Sequence, residues 1–336
     1  MAELLKRLSE ANGVSGNETA VRDIIAAEIK NDIDDIIIDS MGNLIAYKKG
    51  ADSSKAIAVT VNTDEAGFIV SSITDKGYIK FKPVGNIDPR KIISKRVNIG
   101  GKIKGVIGMK AIHLQTKSER ENVVPVSKLF IDIGAKNKAD AEKSVNLGDY
   151  VTFDTKFETI GAAVKGKALE RSGGCRALIQ ALKENYPYDV YACFLAQSEV
   201  GARGAFIASH RLNVDAVLTV SAADTTDMHG CETDRGGAAL GDGAVVNYSD
   251  KTAIADRNLT DRMIKLARGE KIKVRERALK NAAGDLGAMQ TGGAASLGVV
   301  IPCRYSRSPV SIMSKDDITA VSEYISLYLN KIGDIT

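Results

Sequence analysis

Tryptophan is absent from this chain, and only three histidines and four cysteines are spread over its 336 residues. Aromatic residues make up 5% of the total, too few to suggest a platform for stacking sugar rings or bases. The cysteines (Cys175, Cys193, Cys231, Cys303) are widely scattered and form no Cys-x-x-Cys pair, as reduced thiols in a cytosolic core would be. No apolar run approaches the ~20 residues needed to cross a bilayer. The stretch Met1–Ala11 carries charges every few residues and lacks the apolar centre of a signal peptide, so a cytoplasmic protein is expected. The 46 basic and 42 acidic residues leave a formal charge of +4, without a block of like charges. The most basic stretch, Lys271–Lys280, is interrupted by Glu276 and reads as a solvated face, so neither nucleic acid nor membrane is an expected partner.

What is present is the 44% apolar, 26% charged mixture of a globular protein, at a length that suggests two domains. Two helices open the chain around Gly13-Val14-Ser15-Gly16, with Ser15 and Glu18 spaced as a capping box. Short β-branched runs follow at Ile36–Ile38, Leu44–Tyr47 and Ala56–Val61, the last apolar enough for a strand buried on both faces. From Phe68 to about Ala163, short strand-like runs alternate with Gly, Asp, Asn and Lys turns, and only Ala139–Val145 reads as helix. This texture predicts a small β-rich barrel or sandwich. Alternation of helix and strand then returns. Helices are expected at Gly173–Glu184, Ala202–His210, Thr260–Ala267, Ala282–Gln290 and Asp316–Ile332, and strands at Val190–Ala196, Ala216–Val220 and Leu297–Pro302. The expected fold is α/β, a mixed central sheet flanked by helices, formed by residues 1–66 and 164–336, with a β-rich barrel-like insert at 67–163.

Ligands of α/β domains gather beyond the carboxyl ends of the strands. Those ends read Asn62-Thr63-Asp64-Glu65, Gln197-Ser198-Glu199-Val200-Gly201, Ser221-Ala222-Ala223-Asp224 and Arg304-Tyr305-Ser306-Arg307-Ser308-Pro309, with Leu169-Glu170-Arg171 before a helix. With Gly13–Glu18, Asp39–Ala46, Phe81–Arg90, Gly105–His113, Leu129–Ala135 and Gly166–Leu169, these segments resemble, in order and over essentially the whole chain, the tetrahedral (TET) dinuclear metalloaminopeptidases. That family includes glutamyl and lysyl aminopeptidases and proteins called cellulase M or endoglucanase-like. The resemblance implies a hydrolase fold whose insert supports dimers and a hollow dodecamer.

The resemblance also implies where two divalent metals, zinc or cobalt, would be held, and there this chain departs. The family's histidine in Ala-His-x-Asp-Glu is Asn62 here, its bridging aspartate is Glu170, and its general-base glutamate is Ser198. The ligand glutamate is kept as Glu199, a further ligand aspartate is Ser221, and the last histidine is Arg307. Asp64 holds the position that orients the ligand histidine. A catalytic metal needs about three protein donors drawn from imidazole, carboxylate or thiolate. Arg307 supplies a cation where a cation should bind, and it cannot be deprotonated. Without a base at Ser198, water activation is lost.

The sequence therefore predicts an inactive peptidase homologue without a metal cofactor. It would serve as a subunit, regulator, or binder of peptides or amino acids, assembled with copies of itself or with an active paralogue. The alternative is an altered, single-metal hydrolase acting on short peptides. Arg307 is expected to bridge Glu170 and Glu199, with Arg171 a further candidate for the cluster. Asp285 is expected to cap a helix, and His113, His210, His229 and Cys231 to be structural. Neither Ser198 nor Ser221 has a histidine placed to make it a nucleophile, and endoglucanase activity is not expected.

Overall fold

The structure, a computed structural model, describes residues 2–231, 237–277 and 284–334. The expected helix start at Ala282 and the end of the basic stretch at Lys280 lie outside the described residues. Among the described residues the architecture is α/β, with an eleven-stranded mixed sheet and a separate closed barrel of six strands. Among the described residues no helix is long and apolar enough to cross a membrane.

Four parallel strands form the centre of the sheet, in the order Tyr188–Leu195, Asp52–Asn62, Ala216–Asp224 and Ala295–Arg304. Their apolar runs follow from burial on both faces: Ala58, Val59, Leu218, Val299 and Ile301 are all fully buried. Antiparallel strands flank them, Leu44–Lys48 and Asp35–Ile38 on one side. On the other side, Ala244–Asn247 and Ser311–Ser314 both pair with Ala295–Arg304. Asn62 lies beside Leu195, and Val61 beside Val220, so Asn62, the 197–199 loop and Ser221 emerge at one level of the sheet. The helix Leu169–Ala181 is buried along most of its length between the sheet and the helix Lys315–Lys331. That packing fixes its first turn, which carries Glu170 and Arg171.

The insert closes as a barrel in the order Gly67–Ile73, Ile79–Val84, Phe130–Asp132, Ile103–Gly108, Arg96–Ile99 and Tyr150–Phe153. Inward-facing residues of all six strands supply its core, where Phe68 lies edge-on to Phe81 and Phe153 at 4.9 and 5.5 Å between ring centroids. Closure removes the free strand edges of so small a sheet. The entry to the barrel requires glycine at position 67, because a Cβ there would collide with the Val14 side chain and the Val151 carbonyl.

Several sequence expectations need correction. The helix foreseen at Ala139–Val145 is one short turn, Lys138–Ala141, capped by Asn137, and a second short helix, Lys117–Glu121, was unforeseen. The helix expected from Gly173 begins at Leu169, after Ala168 in the left-handed region. Its two glycines and near-complete burial erase the amphipathic signal at its start. Ser15 and Glu18 do not form a capping box, because each side chain is used elsewhere.

Candidate functional site

The site lies where the parallel strands end. Five non-glycine residues in the left-handed region surround it: Ala168 (φ 49°), Gln197 (φ 56°), Ala202 (φ 53°), Tyr305 (φ 60°) and Arg307 (φ 49°). Each such residue costs on the order of 1–3 kcal/mol and persists only where surrounding contacts fix it. Here they turn the chain sharply off a strand or into a helix, which brings Glu170, Ser198, Glu199 and Arg307 together.

Arg307 is the central cation. Its Nε donates to both carboxylate oxygens of Glu199, at 3.1 and 3.0 Å, and its backbone N–H faces Glu170 Oε1 at 3.4 Å. The guanidinium thus neutralises Glu199, whereas Glu170 is met by the backbone rather than by the expected second arm of a bridge. The left-handed turn at Arg307 aims its N–H and its side chain at different carboxylates. Burial pushes Glu170 up to about 7, and the negative charges of Glu199 and Glu65 add to the effect. Its Oε2 is buried without a hydrogen-bond partner among the described residues. Burial also raises Glu199, and Arg307 offsets part of that rise.

Arg171 does not join this cluster. The fully buried Arg171 turns away from Glu170 to Glu65, with Nη2 at 3.2 Å, and to the Ala11 carbonyl at 2.8 Å. Lys167 Nζ reaches Glu65 at 2.6 Å and Ala11 at 2.8 Å, and Gly13 N–H donates to Glu65 as well. Successive residues of a helix start point about 100° apart, so Glu170 and Arg171 cannot face one centre. This trio fastens the opening segment to the domain.

That segment shapes the other wall. Ser15 Oγ donates to Asp64 Oδ2 at 2.6 Å, and Glu199 N–H donates to the same oxygen at 2.9 Å. Asn62 Nδ2 donates to the Asp64 carbonyl at 3.1 Å, so the side chain of Asn62 is committed to its own loop. Glu18 Oε1 accepts from Gly16 and Gln197 N–H groups, at 2.7 and 3.1 Å, and holds the Ser198 loop. From the barrel, the turn at Gly85 leans on Glu199: a Cβ at Gly85 would stand 3.2 Å from Glu199 Cβ.

Asp285 is the residue whose part the sequence concealed. It precedes the helix Leu286–Gln290 but makes no capping bond with its side chain. Instead its Oδ2 accepts from Ser198 Oγ at 2.7 Å, while Oδ1 is buried without a partner among the described residues. Burial pushes this carboxyl up to about 7, opposed by the Ser198 hydrogen bond and assisted by Asp64 and Glu199. Only its distance in sequence from Ser198 hid the pair. Ser221 stands part-buried on its strand at the same level.

The donor set fits a metal centre poorly. Among the described residues no group of three His, Cys, Asp or Glu is arranged to hold a metal ion. The carboxylate best placed to ligate, Glu199, already holds a guanidinium. The histidines lie elsewhere. His113 sits in an exposed turn of the insert, and His210 Nδ1 lies 2.9 Å from the Phe206 carbonyl at a helix end. His229 and Cys231 occupy a loop.

The chain is similar to known proteins over nearly its whole length. It is 35% identical, over 95% of both chains, to a candidate aminopeptidase of Acetivibrio thermocellus. Its fold matches the crystal structure of a TET aminopeptidase from a marine sediment archaeon of the Thaumarchaeota, with a TM-score of 0.95 at 28% identity over 98% of this chain and 96% of that one. It also matches the TET1 peptidase of Pyrococcus horikoshii, which assembles into a tetrahedron or a large octahedral shell, with a TM-score of 0.87 at 28% identity over 98% and 99% of the chains. The sequence model of the M42 glutamyl aminopeptidases matches residues 42–323, which include every strand end that builds the site. By sequence and by fold alike, the chain belongs to the M42 glutamyl aminopeptidase family.

Proposed function

We propose that this chain is an M42 homologue that has given up dinuclear-metal peptide hydrolysis and acts as a subunit, a regulator, or a binder of peptides or amino acids. The observation that carries this reading is the Arg307 guanidinium on both oxygens of Glu199. An internal cation held by a carboxylate competes directly with any metal at that carboxylate, and arginine keeps its proton at every physiological pH. Asn62, Ser198 and Ser221 supply neither the charge nor the basicity that metal-bound water would require. Endoglucanase chemistry is disfavoured on the same grounds, since a carboxylate neutralised by arginine is a poor proton donor. Assembly with copies of itself, as the Pyrococcus horikoshii peptidase assembles, is part of the proposal.

A second reading, an altered hydrolase using one metal, draws support from the unpartnered Oε2 of Glu170. The two are separated by assaying protein loaded with zinc or cobalt on aminoacyl chromogenic substrates and short peptides. The first reading expects no release of N-terminal amino acids that a chelator suppresses. Chelator-sensitive turnover would replace it with the second.

A further inference from the structure

Arg307 spends only part of its hydrogen-bonding capacity. Its Nε serves Glu199, whereas neither Nη group has a partner among the described residues, and the side chain is 42% exposed. Across the same mouth lies Asp224, exposed at the end of its strand and close enough for its charge to act on Arg307. Asp224 Oδ1 accepts from the Ser306 N–H at 2.8 Å, which fixes the carboxylate, and Oδ2 faces no donor among the described residues. An open guanidinium edge and an open carboxylate edge therefore flank Ser306.

We propose that this mouth binds a free α-amino acid, its carboxylate on the Nη donors of Arg307 and its ammonium on Asp224. The inference rests on the reading that Arg307, not a metal, occupies the site. Charge selects the class of ligand. A bare anion would meet the field of Glu170, Glu199 and Asp224, and a bare cation would meet the exposed guanidinium, while a zwitterion with its charges a few ångströms apart satisfies both edges. The planar fork of arginine suits a carboxylate, which it grips through two parallel N–H bonds. The part-buried side chains at the same strand ends, Asn62, Ser198 and Ser221, are polar and themselves uncharged. A free carboxylate is thus the recognised feature, which distinguishes this ligand from one known only by its amino end.

The test is isothermal titration and thermal-shift measurement with the full set of free L-amino acids, followed for each binder by its α-amide and its N-acetyl derivative. At least one free amino acid should bind and stabilise the protein at concentrations up to about 10 mM. Its amide and its N-acetyl form should each bind roughly tenfold or more weakly, as expected on losing a charge-assisted contact. Arg307→Gln should reduce binding by a similar factor. Asp224→Asn, which alters an exposed side chain, should weaken the parent amino acid yet leave the N-acetyl form unchanged. Absence of any binder, equal binding of acid and amide, or full binding by Arg307→Gln would overturn the inference. Metal content and turnover are read separately, so a metal-free protein that ignores amino acids refutes this inference alone.

Discussion

Ser198 Oγ donates a 2.7 Å hydrogen bond to Asp285 Oδ2, joining the loop after one central strand to a segment 87 residues later in the chain. Asp285 is 6% exposed and its other oxygen is unpartnered. Ser198 is therefore its only hydrogen-bond donor among the described residues. Ser198→Ala should destabilise the protein by about 1–3 kcal/mol near pH 8, where Asp285 must hold its charge without a donor. Near pH 5 the loss should shrink, because the carboxyl, already pushed up to about 7, is then protonated. Adding Asp285→Asn should restore most of the stability, measured by urea denaturation at both pH values. A loss independent of pH would show that Ser198 acts only by packing.

Glu170 gives the opposite sign on mutation. Its folded-state value of about 7 lies above the ordinary 4.5, so its favourable contribution is complete below about pH 4.5 and is lost as pH rises through 7. Glu170→Gln removes that loss. The variant should match the parent near pH 5 and exceed it by about 1–2 kcal/mol near pH 8. Thermal denaturation across this range checks the prediction, and a variant less stable at pH 8 would contradict it.

The trio behind the site should behave as a buried ion cluster. Glu65 is 3% exposed and is the carboxylate shared by Lys167 and Arg171. Glu65→Gln should cost about 3–5 kcal/mol, because it leaves two buried cations without a counter-charge. Arg171→Met should cost much less, since the Lys167–Glu65 pair remains neutral. Denaturant midpoints of the two variants decide the ranking, and equal losses would refute it.

Much of this was legible before the fold was known. Continuous apolar runs such as Ala56–Val61 announced central strands, and short runs between turns announced the β-rich insert, which the structure closes as a barrel. The resemblance of the strand-end segments to the TET family also assigned Glu170, Ser198, Glu199 and Arg307 to one site. What stayed hidden were choices between two local uses of one residue. Ser15 and Glu18 have the spacing of a capping box, but Asp64 and the Gln197 N–H are better partners in three dimensions. Asp285 has the position of a helix cap, yet Ser198 claims it. Arg171 adjoins Glu170 in sequence but faces the other way on its helix, a matter of rotation that adjacency cannot reveal. The backbone reversals at Gln197, Tyr305 and Arg307 carry no glycine to mark them.

The most direct test of the central claim is metal stoichiometry, measured by mass spectrometry on protein saturated with zinc or cobalt and then desalted. With Arg307 seated on Glu199, the chain should retain less than about 0.1 metal per protomer. One or two tightly held ions per protomer would mean that Arg307 yields its place and that the site remains a metal centre.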